Sequence, residues 1–303
     1  MKYYFVINPA AGSGSAGTEL APRIERELQD SGLDYEVHIT GSKEEARAYV
    51  RSRAEQGGEC RFYACGGDGT VNDVACSMVG FPNAQLGVIP CGSGNDFVRN
   101  FTGKENFLDI RRQINAHCQK IDLIKYNDTY SVNMLNIGMD CDIAAEVNAM
   151  EAGMLKGPAA YLLGVLKVLP KHKYYRMSYE LDGQQYQKTL MLAAVGNGGF
   201  CGGGFHSCPT SSLSDGLMDV CIVSPIHGMK LLQMLAEYKN GKHLEDPDAG
   251  KYVDYFRCSS FTLTPLEPVR VSVDGEVSYF ESCRFENCRE AITLAIPEGS
   301  EVI

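Results

Sequence analysis

Three glycine-rich turns hold the residues best suited to chemistry: NPAAGSGSAG at 8–17, CGGDGTVND at 65–73 and CGSGNDF at 91–97. Glycines between a strand and a helix let the backbone adopt positive φ and bring N–H groups close to an anion, where the helix N-terminus adds a favourable dipole. On that reading Gly66, Gly67 and Gly69 are there to admit phosphate, and three such turns at strand ends suggest one polyphosphate cradle. Each turn alone has a plainer explanation as tight-turn chemistry. NPAAGSGSAG lacks the Walker lysine and the GxGxxG spacing of dinucleotide loops.

Two aspartates sharpen the case. Asp68 and Asp96 sit inside loops built to attract anions, where a carboxylate repels phosphate unless a cation or a reacting hydroxyl stands between them. The inference is ATP with Mg²⁺. Helix capping is the competing explanation for each aspartate, since the residue favours helix N-termini for local hydrogen-bonding reasons.

The elements that position these loops alternate. KYYFVIN reads as a strand, TELAPRIERELQDSG as a helix ending at Gly32, and DYEVHIT as a strand again. SKEEARAYVRSRAEQGG opens with Ser42 and Glu45 in a capping box and closes on glycines. RFYAC is a strand, VNDVACSMVG a helix and QLGVIP a strand, an alternation that predicts a mostly parallel sheet with ligands at the carboxyl ends of its strands. From about Lys120 the chain becomes a series of strands: KIDLIKY, TYSVNMLNIGM, MSYELDGQQYQKTLMLAAVGN, LMDVCIVSP, SSFTLTP and VRVSVDGEVSYF. Two of these contain Asp-Gly between alternating segments, a strong hairpin signal. Helical insertions are expected at GPAAYLLGVLKVLPKH and HGMKLLQMLAEYKNGK. The expected fold is α/β plus all-β: an N-terminal three-layer α/β nucleotide-binding domain over 1–122 and a C-terminal β-sandwich domain over 123–303, with the last strand returning to the first domain.

With 303 residues and 44% hydrophobic content the chain can bury two cores. A net charge of −10 opposes nonspecific attachment to nucleic acid or to an anionic bilayer, so membrane contact needs a local patch. No secretory leader or bilayer-spanning stretch is evident, which predicts a cytoplasmic protein. The twelve cysteines lack paired CxxC spacing and read as reduced, with Cys60, Cys65, Cys76, Cys91 and Cys221 acting as small hydrophobes in apolar runs. The histidines have no zinc-site spacing.

GGDGTVND at 66–73, NPAAGSG at 8–14 and GSGNDF at 92–97 resemble the diacylglycerol kinase catalytic-domain family, in particular its soluble bacterial lipid kinases. The likeness continues through SVNMLNIGMD at 131–140, VGNGGFCGGGF at 195–205, SDGLMDV at 214–220 and DGE at 274–276. It implies an interdomain catalytic cleft and nucleotide contacts at Asn8, Pro9, Gly12, Thr40, Gly66, Gly67, Asp68, Gly69, Thr70, Val71, Asn72 and Ser93. It also implies a general base at Glu276, working with Asp68 and Asp96, and a structural Mg²⁺ held by Asp215 with Ser212 and Leu217. Ser93 stands where the family has threonine and Asp73 where it has glutamate. Residues 142–188, where lipid tails would enter, match poorly.

The function so implied is ATP-dependent phosphorylation of the free hydroxyl of diacylglycerol or a related lipid alcohol, with transient contact at the membrane surface, no nucleic-acid partner and a homodimer left open. The rivals are an NAD kinase, which shares GGDGT, a sphingoid-type kinase, and a noncatalytic nucleotide or lipid sensor. Plainer readings stand beside several motifs. DGE is a tight hairpin, and Asp215 is a turn cap. VGNGGFCGGGF is either a lid or a close backbone approach to a ligand. The basic segment LKVLPKHKYYRM at 166–177 is either a headgroup contact or a solvated face.

Overall fold

A computed structural model of the chain describes residues 1–149, 163–164, 167–168, 174–274, 276–280 and 282–303. It divides into two compact units, one made of Met1–Leu123 with Arg289–Ile303 and the other of Ile124–Cys288. The first helical insertion expected from sequence, at 157–172, lies almost wholly outside the described residues, as does much of the basic segment at 166–177.

In the first unit, strands β1 (Lys2–Ile7), β2 (Tyr35–Ile39), β3 (Cys60–Gly66) and β4 (Ala84–Pro90) run parallel in the order β2-β1-β3-β4. The single turn α1 (Ala11–Gly14) and helix α2 (Ala16–Leu28) follow β1, α3 (Lys43–Ala54) follows β2 and α4 (Asp68–Met78) follows β3. Successive strand residues face opposite sides of the sheet. Phe5 and Ile7 therefore pack with Leu20, Ile24 and Leu28 of α2, while Tyr4 stacks on Phe62 and meets the edge of Tyr49 in α3. The result is helix, sheet and helix in three layers. Ser42 caps α3 by accepting the Glu45 N–H, and the Glu45 carboxylate takes the N–H of Gly41, one residue before the cap.

Beyond β4 come a short helix α5 (Ile110–Ile114) and strand β5 (His117–Tyr126), which leads into the second unit. There β6 (Thr129–Ser131) and β7 (Met134–Gly138) are followed by helix α6 (Met139–Ala149), unforeseen from sequence, where LNIGM read as the end of a strand. Next come β8 (Tyr175–Leu181), β9 (Gln184–Leu190), β10 (Leu192–Gly196), the small hairpin β11 (Phe200–Cys201) and β12 (Phe205–His206), and β13 (Met218–Val223). Helix α7 (Gly228–Lys239) occupies the second predicted insertion, and the single turn α8 (Ala249–Tyr252) leads into β14 (Val253–Cys258), a strand the sequence did not announce. The chain ends with β15 (Ser260–Pro265), β16 (Val269–Val273), β17 (Glu276–Phe280) and the long β18 (Cys283–Ile296).

One antiparallel sheet of the second unit has the order β14-β13-β10-β7-β16-β17. Its inward residues Leu135, Val195, Val220 and Val271 meet Tyr179, Leu263 and Phe285 from β8, β15 and the first half of β18, forming a sandwich core. The outer face of the same sheet, with Met134, Ala194 and Cys221, is covered by Ile143 of α6, Phe205 and Met234 and Tyr238 of α7. Within the first unit the second half of β18 runs parallel to β4, with Thr293 opposite Gln85. At the crossing point Glu290 takes φ 49°, and the buried Asp122 carboxylate accepts its N–H at 2.8 Å.

Candidate active site

In the first unit the three glycine-rich turns interlock at the carboxyl ends of β1, β3 and β4. The Gly66 carbonyl accepts the Cys91 N–H at 2.8 Å, which prolongs the β3–β4 pairing into the loops. Beyond it Gly67 and Gly92 lie backbone to backbone. A Cβ on Gly92 would stand 2.4 Å from the Gly67 Cα, and one on Gly66 only 2.3 Å from Thr70 Oγ1. Close approach is thus what glycine supplies at Gly66, Gly67 and Gly92. The positive-φ explanation drawn from sequence is corrected, because none of Gly66, Gly67 and Gly69 has positive φ, whereas Gly12 and Gly14 in the first turn do.

Asn8 at the end of β1 ties the first turn to the second. Its Nδ2 donates to Thr70 Oγ1 at 3.1 Å while its Oδ1 accepts the Ala10 N–H. Thr40, at the end of β2, donates its hydroxyl to the Ile7 carbonyl at 3.2 Å. Asn8, Pro9, Thr40 and Thr70 share the wall of a cavity of about 140 Å³ with Lys43 and Asp73. Sites that engulf a whole ligand run to roughly 300–1,000 Å³, so this cavity is too small to enclose one by itself. Lys43 escaped the sequence reading, which saw it only as the first residue of a capped helix. Its position directly after β2, beside Thr40, was the available signal. Asp73 is held by the Arg47 guanidinium, with Nε to Oδ1 at 2.8 Å.

The remaining predicted contacts are placed less uniformly. Gly69, Val71 and Asn72 lie in the first turns of α4, with Val71 and Asn72 buried and the Val71 N–H engaged by the Gly67 carbonyl. Ser93 is exposed on the third turn, and Gly12 lies on the first, where a Cβ would reach the Cys91 carbonyl at 3.6 Å.

Asp68 and Asp96 come together. Asp68 Oδ1 accepts the Phe97 N–H at 2.9 Å, and the Oδ2 atoms of Asp68 and Asp96 would stand 3.0 and 3.3 Å from a methyl group at Gly94. Asn95, at φ 50°, closes the turn by accepting the Gly92 N–H and donating to its carbonyl. Arg99 Nε lies 3.1 Å from Asp96 Oδ1, and its Nη2 donates to the Gly94 carbonyl. Burial pushes the Asp68 carboxyl above the usual aspartate range, opposed by the N–H donors of Phe97 and Asp96 and by the Arg99 charge. Two carboxylate oxygens that meet beside Gly94 are hard donors of the kind a divalent cation takes.

In the second unit Asp274 explains why DGE is fixed. It takes φ 45° at the β16–β17 turn, and its carboxylate accepts from Ser131 Oγ at 2.8 Å, the Val132 N–H at 3.2 Å and the Met134 N–H at 2.9 Å. Glu276 opens β17 opposite Val273. The Asn133 carbonyl accepts the N–H groups of Asn197 and Gly198, and the Asn197 side chain donates to the Val132 carbonyl. The VGNGGF loop is therefore a buried wall packed against this turn rather than a lid, and its close backbone approaches are to the protein itself.

At the SDGL turn Asp215 Oδ1 accepts the Leu217 N–H at 3.0 Å, and Oδ2 is paired with Arg257. The same guanidinium reaches buried Asp219 at 3.2 Å, and the Leu217 carbonyl accepts from Asn287 at 3.0 Å. Of the three groups that the family resemblance assigns to a metal, Asp215, Ser212 and Leu217, two are engaged by protein donors. The third, Ser212, lies three residues before Asp215. Among the described residues no helix is long and apolar enough to cross a membrane.

Comparison with known proteins matches residues 2–126 to the family described as "Diacylglycerol kinase catalytic domain" and residues 133–295 to "YegS C-terminal NAD kinase beta sandwich-like domain". A protein of Alcanivorax borkumensis named "Probable lipid kinase YegS-like" is 27% identical over 91% of this chain and 91% of its own. A protein of Bacillus subtilis named "Diacylglycerol kinase" is 26% identical over 97% of this chain and 95% of its own. The fold is shared with a crystal structure of a diacylglycerol kinase from Bacillus anthracis str. Sterne, at a TM-score of 0.73 and 22% identity, covering 100% of this chain and 98% of that one.

Proposed function

Because the chain belongs to the family that joins a diacylglycerol kinase catalytic domain to a YegS-type β-sandwich, and is a lipid kinase, we propose that it transfers the γ-phosphoryl group of ATP to the free hydroxyl of diacylglycerol or a closely related lipid alcohol. The hydroxyl oxygen bonds to the γ-phosphorus, the bond to the β–γ bridging oxygen breaks, ADP leaves, and the hydroxyl proton passes to the base. In this reading Asn8, Thr40, Lys43 and Thr70 receive part of the nucleotide, and the backbone of Gly66, Gly67 and Ser93 lies along its phosphates. Asp68 and Asp96 would hold Mg²⁺, which when bound would supply charge neutralisation on the phosphates. Glu276 accepts the proton, a role that rests on the match of DGE to the family motif and is worth roughly 10²–10⁴-fold in rate.

The observation that carries the proposal is the meeting of Asp68 and Asp96 on Gly94 within interlocked glycine turns. A purely structural pair of caps has no need to bring two carboxylate oxygens to one glycine. The substrate resides in a bilayer, so contact with a membrane surface is part of the proposal, and the reading is of a cytoplasmic enzyme that visits that surface. The test is incubation with labelled ATP and mixed micelles carrying diacylglycerol, a sphingoid base or a sterol, with NAD in parallel. Label is expected in phosphatidic acid; label in NADP alone, or in no product, overturns the proposal.

A further inference from the structure

Helix α7 turns apolar side chains away from the protein. Met234 and Tyr238 are buried against the six-stranded sheet, whereas Met229 is 79% exposed and Leu232, one turn later, 50% exposed. The outward stripe continues through Gln233, Ala236, Lys239 and Asn240. The carboxylates beside it are engaged by the protein: the Gln233 amide donates to Glu237 Oε1 at 2.8 Å and to Asp246 Oδ2 at 3.1 Å, and Lys230 pairs with Asp246. Lys239 and exposed Lys242 place cations at its C-terminal end, and at its N-terminal end exposed Tyr174 donates to or accepts from His227 Nδ1 at 3.1 Å.

We propose that this face of α7 docks the protein on an anionic bilayer, with Met229 and Leu232 entering the headgroup–acyl boundary and Lys239 and Lys242 resting against lipid phosphates. The inference rests on the lipid-kinase reading, because an acceptor that resides in a bilayer requires the enzyme to reach it. A chain of net charge −10 is repelled by an anionic surface, so attachment calls for a patch joining apolar insertion to local positive charge. Each lysine near the surface adds on the order of a fivefold gain in partitioning, and burial of the two apolar side chains adds more.

The test is flotation of the full chain with vesicles of phosphatidylcholine containing about a third phosphatidylglycerol. It is paired with kinase assays on long-chain diacylglycerol in those vesicles and on a dispersed short-chain diacylglycerol. Met229→Ser with Leu232→Ser is expected to lower vesicle binding at least tenfold and vesicle activity with it, while activity on the dispersed substrate holds within twofold. Lys239→Glu with Lys242→Glu is expected to lower binding to the anionic vesicles and leave the weaker binding to pure phosphatidylcholine unchanged. Unaltered vesicle binding by the Ser variant overturns the proposal, as does conversion of a dimer to a monomer with vesicle binding intact, which would make the stripe a contact between two copies. Failure of the lipid-kinase reading is distinguishable: the parent would then phosphorylate neither form of diacylglycerol, whatever the flotation result.

Discussion

Asp68 and Asp96, twenty-eight residues apart, direct one carboxylate oxygen each at Gly94, at 3.0 and 3.3 Å from where a methyl group there would stand. Neither is an ordinary helix cap: Asp68 lies within α4 and its Oδ1 accepts the Phe97 N–H of the neighbouring turn, and Asp96, just before the 3-10 turn Phe97–Asn100, makes no side-chain cap bond to it.

Asp68→Ala and Asp96→Ala are each expected to lower turnover by about 10²-fold or more, given the electrostatic share of phosphoryl transfer. The far-ultraviolet spectrum should stay unchanged. Near-normal phosphorylation of diacylglycerol by Asp68→Ala would refute its assignment.

Gly94→Ala tests the meeting point of the two carboxylates. Its φ lies outside the left-handed region, so alanine brings no backbone strain there. The variant is expected to fold as the parent does and to need a several-fold higher Mg²⁺ concentration for half-maximal activity. An unchanged Mg²⁺ dependence would show that no ion sits between the two carboxylates.

Gly92→Ala behaves differently because its new atom meets backbone, not a movable side chain. At 2.4 Å from the Gly67 Cα, the turns must separate. A loss of about 1–3 kcal/mol is expected from such overpacking, visible as an earlier urea midpoint together with a weaker affinity for ATP.

Asp274→Ala removes the acceptor for one hydroxyl and two N–H groups, all buried around β6, β7 and the β16–β17 turn. Stranding them should cost roughly 2–5 kcal/mol. Asp274→Asn keeps one acceptor oxygen and should fall between parent and alanine variant in thermal unfolding.

His243 sets a pH dependence. It is fully buried between Cys221 and Tyr238, and burial lowers its pKa from 6.5 to about 4. Between those values the unfolded chain binds a proton that the native one refuses, so stability falls as pH falls from 6.5 toward 4, by up to about 3 kcal/mol. The contribution is intact above pH 6.5. His243→Met should flatten that slope in urea titrations at pH 7, 6 and 5.

Local chemistry was readable in the linear chain. Ser42 and Glu45 announced the start of α3 because a cap is made among neighbours. Asp182–Gly183 and the turn at Asp274 announced hairpins because both aspartates adopt φ near 50°, a demand met inside the turn. The three glycine turns, the alternation of strands and helices, and the acidic residues within the loops were likewise visible before any coordinates. Each depends on spacing of only a few residues.

Other features are set by partners distant in sequence, and no local pattern encodes those. Gly66 was recognised as necessary, yet the reason lies in the Thr70 side chain that crowds it rather than in its own φ. Helix α6 begins where a strand seemed to end because Gly138, at φ 87°, turns the chain, and Ile143 finds the outer face of the sheet to cover. Arg257, on an unforeseen strand, pairs with the Asp215 carboxylate of the SDGL turn. A carboxylate's partners are chosen by which strands lie side by side, and that pairing exists only once the chain has folded.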